Sequence, residues 1–124
     1  MPTQSRRLRR VEVQLIESML ARTTHEGLGA GLAAAEVIEF AEGQPGCLRF
    51  VGSLLYPKSP EVVAERTFVD TDGVPVSVSL SVDEAGRLLE FDLFKNDFSP
   101  VASLREGLRK PSGPIRKALA GMRS

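Results

Sequence analysis

Apolar and polar residues alternate most regularly between positions 74 and 82. A valine or leucine occupies every second position there, and a proline and three serines fill the positions between. A period of two is typical of a strand with one face on a core and the other in water. After a turn signal at 83–86, the alternation resumes at 89–93. We therefore predict an antiparallel hairpin whose buried side chains are Val76, Val78, Leu80, Phe91 and Leu93.

A period of 3.6 residues marks the N-terminal part of the chain. Leu8, Val11, Leu15 and Met19 are three and four residues apart. This spacing predicts an amphipathic helix over 8–22 that covers the apolar face of the sheet. The arginines near its start oppose the helix dipole, so they either have another role or lie outside the helix. We expect the glycine-rich stretch at 27–31 to end the helix and to act as a connector.

Shorter apolar runs at 33–40, 47–51 and 61–69 predict three further strands, with turns at 42–46 and 70–73 and a loop at 54–60. The pattern as a whole predicts an α+β fold, with the N-terminal helix packed on an antiparallel β-meander of about five strands. We predict one domain over residues 1–104. Residues 105–124 are then a basic tail, in which 115–122 has the pattern of a short helix.

The formal net charge is zero, but the charges are not evenly distributed. Residues 26–100 carry thirteen carboxylates against five Lys or Arg, whereas both flanking segments are basic. Zero net charge argues against a protein that binds nucleic acid with its whole surface. No apolar run approaches the roughly 20 residues that span a bilayer, so we expect no membrane partner. A single cysteine, Cys47, and the lack of a Cys/His cluster predict a reducing, cytoplasmic location and no metal site.

The carboxylates of the acidic segment are the candidate functional residues. Glu90 and Asp92 share the polar face of one predicted strand, and Asp97 follows shortly afterwards. Asp70 and Asp72 lie at a predicted hairpin tip near the same surface. The leading hypothesis is a non-enzymatic protein that binds a basic protein partner through this acidic face, without a cofactor. An immunity protein for a basic, nuclease-type toxin is its concrete form, because opposite charge speeds association.

Other interpretations of the same residues stay open. The carboxylates form a solvated face in the plainest interpretation. The basic ends at 6–10 and 105–123 suggest nucleic-acid contact, although few aromatic residues accompany them for base stacking. Glu90, Asp92 and Asp97 also suggest acid–base catalysis in a small enzyme. A homo-oligomer is a further alternative that the sequence does not decide.

Several short runs, taken together and in order, resemble a family of small bacterial proteins described only as a domain of unknown function. The runs are Leu8-Arg9-Arg10-Val11-Glu12, Gly46-Cys47-Leu48-Arg49-Phe50, Asp70-Thr71-Asp72-Gly73-Val74-Pro75-Val76-Ser77, Phe94-Lys95 and Asp97-Phe98-Ser99-Pro100. The resemblance covers residues 8–100 and leaves out the basic C-terminal segment. At Phe94 the family implies a larger aromatic residue. The resemblance implies the fold and brings no activity.

Overall fold

The computed structural model describes residues 5–39 and 47–108. Its strands are β1 (Ser5–Arg7), β2 (Glu36–Glu39), β3 (Leu48–Phe50), β4 (Glu61–Val69), β5 (Pro75–Val82) and β6 (Leu88–Lys95). One α-helix, α1 (Arg10–Leu20), and two 3₁₀ helices, Glu26–Ala34 and Leu104–Gly107, complete the described part. Within these residues, no helix is long and apolar enough to cross a membrane.

The six strands form a single sheet in the order β1-β2-β3-β6-β5-β4, and every neighbouring pair is antiparallel. The predicted α+β class and antiparallel sheet are confirmed. The sheet has six strands rather than five, because Ser5–Arg7 pairs with β2 ahead of the helix. It also departs from a simple meander, since β6 lies between β3 and β5. A three-residue strand is too short for its alternation to show in the sequence.

The core lies between one face of the sheet and α1. The helix buries Leu15 and Met19 of the predicted stripe, together with the adjacent Ile16 and Leu20. The sheet residues predicted to be buried are confirmed, because each is at most 4% exposed: Val76, Val78, Leu80, Phe91 and Leu93. The glycine-rich connector forms the first 3₁₀ helix, which adds Leu32 to the core. The strand predicted from residue 33 consequently begins at Glu36.

The second 3₁₀ helix packs between α1 and β4. Gly107 is buried there, and a Cβ atom at this position would lie 3.0 Å from the Phe68 ring and 3.3 Å from Leu15. The Arg66 guanidinium donates to the Gly107 carbonyl at 3.0 Å and to the Ser18 hydroxyl at 2.7 Å. The described chain therefore packs against the core as far as residue 108, and the division into a domain over 1–104 and a tail from 105 stays a prediction. The tail beyond 108 and the turn predicted at 42–46 lie outside the described residues.

Candidate functional site

The face of the sheet that points away from α1 is the candidate site. We call it the outer sheet face and define it by side chains on β3, β6, β5 and β4. They are Arg49, Glu65, Thr67, Ser77, Ser79, Ser81, Glu90, Asp92 and Phe94. None of the described helices covers it, because their buried residues belong to the core on the other side. The alternation of β5 and β6 creates this face: the residues between the buried valines, leucines and Phe91 must point outward.

Three carboxylates and one guanidinium give the outer sheet face an excess of negative charge. Arg49 and Glu90 are paired in the register of β3 and β6, and their Nη1 and Oε2 atoms are 3.5 Å apart. Asp92 lies two residues further along the same strand, and Glu65 faces Ser79 from β4. Partial burial, together with the neighbouring Asp92, raises the pKa of Glu90. The face is therefore acidic, and its acidity is only partly compensated by Arg49.

Three serines in the middle of the face keep its centre low. Ser77, Ser79 and Ser81 lie between the longer side chains of β4 and β6. A shallow depression of about 290 Å³ results, with Glu65, Asp92 and Phe94 among its lining residues. The arrangement offers carboxylate and hydroxyl oxygens, which accept hydrogen bonds from ammonium or guanidinium groups.

Exposed apolar side chains flank the acidic centre on two sides. At one end, Phe94 and Phe98 make an edge-to-face contact with ring centroids 5.4 Å apart, although they are 41% and 63% exposed. At the other end, Arg49 donates to the carbonyl oxygens of Leu54 and Leu55 and so holds that loop beside the face. Leu55 and Tyr56 project from the loop and are 80% and 88% exposed. Exposed aromatic and apolar groups beside polar ones are typical of protein-binding surfaces.

Asp70 and Asp72, the hairpin-tip candidates, both form ion pairs with Lys95. The Lys95 ammonium is 2.8 Å from an Asp70 oxygen and 2.6 Å from an Asp72 oxygen, and it also donates to the Pro100 carbonyl. Lys95 and Asp70 are buried on the core side of the sheet. The structure therefore removes Asp70 from the outer sheet face and leaves Asp72 half exposed at the hairpin tip.

The Asp70 carboxylate is the most heavily bonded group in this cluster. Besides the Lys95 ammonium, it accepts hydrogen bonds from the backbone N–H groups of Thr71, Ala102 and Ser103. Burial alone would raise its pKa, but these donors outweigh burial and lower the pKa to about 2. The carboxylates of Asp70 and Asp72 in turn raise the pKa of Lys95. The cluster therefore fastens residues 100–103 to the β4–β5 hairpin, which is a structural task.

Other carboxylates of the acidic segment also accept hydrogen bonds from backbone N–H groups in turns and loops. Asp83 accepts from the Leu54 N–H at 2.9 Å and closes the β5–β6 hairpin through two further amides. Glu84 accepts from the Lys58 and Ser59 N–H groups. Asp97 is exposed and bonded to Ser99, which lowers its pKa. Of the five predicted site residues, only Glu90 and Asp92 share the outer sheet face.

Cys47 directly precedes β3, lies beside Asp92 and is half buried. Burial, followed by the nearby Asp92 carboxylate, raises the pKa of the thiol to about 11. A thiol with such a pKa is protonated at neutral pH and is a poor nucleophile. The described part of the chain also holds no group of three His, Cys, Asp or Glu side chains suited to a metal ion.

The sequence interpretation missed the Lys95 cluster, although one signal was present. Lys95 occupies the buried phase of β6, two residues after Leu93, and a lysine at such a position requires a buried partner. It also missed Glu65, which joins the acidic face because β4 pairs with β5 in a register that places Glu65 opposite Ser79.

Comparison with protein-family models matches residues 5–105 to a family described as Domain of unknown function (DUF6984). The comparisons with curated proteins and with solved structures give no match.

Proposed function

The chain belongs to the DUF6984 family, and we propose that this member is a non-enzymatic binding protein that receives a basic protein partner on its outer sheet face. The observation that carries the proposal is a sheet face that none of the described helices covers, with an acidic centre and exposed apolar groups at both ends. Glu65, Glu90 and Asp92 are the carboxylates that contact the partner in this proposal. Asp70 and Asp97 are engaged elsewhere and are left out of the contact set.

The charge pattern supports a basic partner more than an acidic one. On the outer sheet face as defined, three carboxylates stand against the single guanidinium of Arg49. Arg66 also lines the central depression, but its guanidinium donates to Ser18 and to the Gly107 carbonyl. At the far edge of the sheet, Arg7 and Glu36 face each other in register, so their charges offset each other. Complementary charge raises the association rate, and the partner's cations would meet acceptors that are already fixed on strands.

The exposed rings support a protein partner more than a small cation. Phe94 and Phe98 at one end and Tyr56 at the other offer apolar area beside the acidic centre. Aromatic residues of this kind are frequent energetic centres of protein interfaces. An inhibitor of a basic, nuclease-type toxin is the concrete form of the proposal, because a nuclease holds phosphate with a basic surface.

The test compares two charge-matched double variants in a capture experiment from the native host. The first is Glu90→Lys with Asp92→Lys, which reverses the outer sheet face. The control is Glu17→Lys with Glu26→Lys, which changes the net charge equally through exposed residues elsewhere on the chain. We expect wild type and control to retain the same basic protein, and the face variant to lose it. Identical partner sets for all three proteins, or captured acidic proteins only, would overturn the proposal.

Kinetics with the captured protein then separate charge from apolar contact. Reversal of Glu90 and Asp92 should lower the association rate and its dependence on salt. Phe98→Ala should instead raise the dissociation rate, because truncating an anchor weakens the formed complex. If the captured protein is a nuclease, one equivalent of wild type should inhibit DNA cleavage, and the face variant should not.

A further inference from the structure

A cleft of about 380 Å³ lies on the helix side of the molecule, away from the outer sheet face. The start of α1 forms one wall, with Arg9 and Val11, and residues 100–105 form the opposite wall. Its volume falls within the range of small-ligand sites, which is about 300–1,000 Å³. The cleft is therefore large enough for a molecule the size of a substituted ring.

The lining combines apolar side chains with guanidinium groups. Val101 and Leu104 supply half-buried apolar side chains, whereas Leu93 is almost fully buried. Arg6, Arg9 and Arg105 also line the cleft. The lining is more charged than that of a typical small-ligand site, which is mostly apolar with a few polar groups that fix orientation, and this favours a charged ligand.

Two carboxylates also line the cleft, but they do not neutralise all three arginines. Glu12 is buried and bonded to Arg6 through both oxygens, at 2.9 and 3.0 Å, and it also accepts from the Arg9 N–H at 2.7 Å. Glu39 approaches only the Arg6 Nε atom, at 3.7 Å. Within residues 5–39 and 47–108, no carboxylate forms an ion pair with the guanidinium of Arg9 or Arg105. The cleft therefore holds two cations without a described counter-charge.

The wall that carries Arg105 is fixed in place. The backbone N–H groups of Ala102 and Ser103 donate to Asp70, at 2.6 and 3.0 Å, and Lys95 holds the Pro100 carbonyl at 3.3 Å. On the other wall, the Arg6–Glu12 pair joins β1 to α1. A cleft whose walls are fixed before binding loses less conformational freedom when a ligand enters.

We propose that this cleft binds a small organic anion, in which a carboxylate or phosphate group pairs with Arg9 and Arg105 and an apolar body lies against Val101 and Leu104. A guanidinium fork matches the oxygens of either group in a bidentate manner, and the apolar lining selects an anion with a hydrocarbon part over inorganic phosphate.

The test titrates the full-length protein with phenyl phosphate and with phenylacetate, followed by calorimetry and by amide chemical shifts. Benzyl alcohol and inorganic phosphate are the control ligands. Benzyl alcohol lacks the negative charge, and inorganic phosphate lacks the ring. The altered protein is Arg9→Gln with Arg105→Gln. Its matched control is Arg22→Gln with Arg87→Gln, because both of those arginines are exposed and lie outside the cleft lining.

We expect saturable binding of at least one anionic probe, with shifts at the amides of residues 9–12 and 101–105. The cleft variant should bind that probe about tenfold more weakly, whereas the control variant should match wild type. The stronger of the two anionic probes then identifies phosphate or carboxylate as the recognised group. Absence of binding by wild type, equal binding by the cleft variant, or equal binding of benzyl alcohol would overturn the proposal. None of these outcomes bears on the outer sheet face, so the two proposals fail separately.

Discussion

Cys47 shows how the outer sheet face alters the chemistry of a single residue. Its raised thiol pKa, about 11, predicts slow alkylation, because only the thiolate reacts. At pH 8, iodoacetamide should modify the folded protein at least about tenfold more slowly than the urea-unfolded protein. The chain has one cysteine, so a single mass increase reports the rate.

Replacing the neighbouring carboxylate provides the control for that measurement. Asp92→Asn removes a negative charge beside the thiol and should speed alkylation of the folded protein, while burial keeps the rate below that of the unfolded chain. An unchanged rate in this variant would mean that Asp92 does not act on Cys47.

Residue identity alone revealed some positions and concealed others. Glu90 and Asp92 were placed on one face correctly, because strand alternation fixes the side to which each residue points. Asp70 was assigned to a hairpin tip, and the turn itself is confirmed by the Gly73 N–H donating to the Asp70 carbonyl. Its burial was not visible, since Lys95 and residues 102–103 come from distant parts of the chain. The arginines at the start of α1 were visible as unfavourable for the helix, but their proximity to Arg105 depends on tertiary structure.

Strand β5 allows a matched comparison between its two faces. Val78 is 2% exposed, whereas its neighbour Ser77 points outward. Val78→Asp should place a charge in the core and lower the free energy of unfolding by several kcal/mol, which approaches the whole stability of a small domain. Ser77→Asp should change it by less than about 0.5 kcal/mol. Urea denaturation followed by circular dichroism measures both, and similar midpoints for the two variants would contradict the assigned strand phase.

The second 3₁₀ helix is short, but it closes one side of the core. A chain that ends at residue 104 loses Gly107 from its contact with Phe68 and loses the carbonyl that Arg66 binds. A chain that ends at 108 keeps both. We expect the shorter chain to melt at least about 5 °C below the longer one, because the half-buried Arg66 guanidinium loses an acceptor and an apolar surface becomes exposed. Equal melting temperatures would show that residues 105–108 add nothing to the core.

At the scale of elements, the long alternating strands were predictable and the short ones were not. β4, β5 and β6 have eight or nine residues each, which is enough for a period of two to appear. β1 has three residues, and only its pairing with β2 defines it as a strand. The insertion of β6 beside β3 could not be predicted, because the hydrophobic pattern assigns faces to residues and does not assign neighbours to strands.

At the scale of the whole molecule, the bonded carboxylates determine how stability depends on pH. The pKa of Asp70 is about 2 in the folded protein, below its ordinary value of 3.8, so the unfolded chain binds the proton more readily. The stabilisation is complete above the unfolded-state pKa and is lost as the pH falls towards 2. The lowered pKa values of Asp83, Glu84 and Asp97 act in the same direction, and the raised pKa of Glu90 opposes them.

We therefore expect the free energy of unfolding to change little between pH 7 and about pH 5 and to fall steadily below that. Denaturant titrations at a series of pH values measure this curve. A carbon-detected NMR titration of the Asp70 carboxyl group provides the direct check, with a midpoint near 2. A midpoint close to 3.8 would show that Lys95 and the three backbone amides do not hold the ionised form.

The carboxylates of the acidic segment thus fall into two groups with different surroundings. Asp70, Asp83 and Glu84 satisfy backbone amides and Lys95, while Glu65, Glu90 and Asp92 remain on the outer sheet face. Counting charges along the chain cannot separate these groups, because the separation depends on which carboxylates lie next to backbone donors. The net acidity of the exposed surface is consequently smaller than the sequence suggests.

The position of β6 between β3 and β5 also constrains the order in which the chain folds. The β4–β5 and β5–β6 hairpins close through short turns, whereas the β3–β6 pair joins Leu48 to Phe91 across about a third of the chain. Because closing a long loop costs more entropy, the C-terminal hairpins should form first and act as the folding nucleus. Conservative truncations such as Val78→Ala should then slow folding, while Val37→Ala should mainly speed unfolding. During synthesis on the ribosome, β1, β2 and β3 would leave the exit tunnel before β6 exists, so the edge of β3 that does not face β2 would stay unpaired until β6 is made.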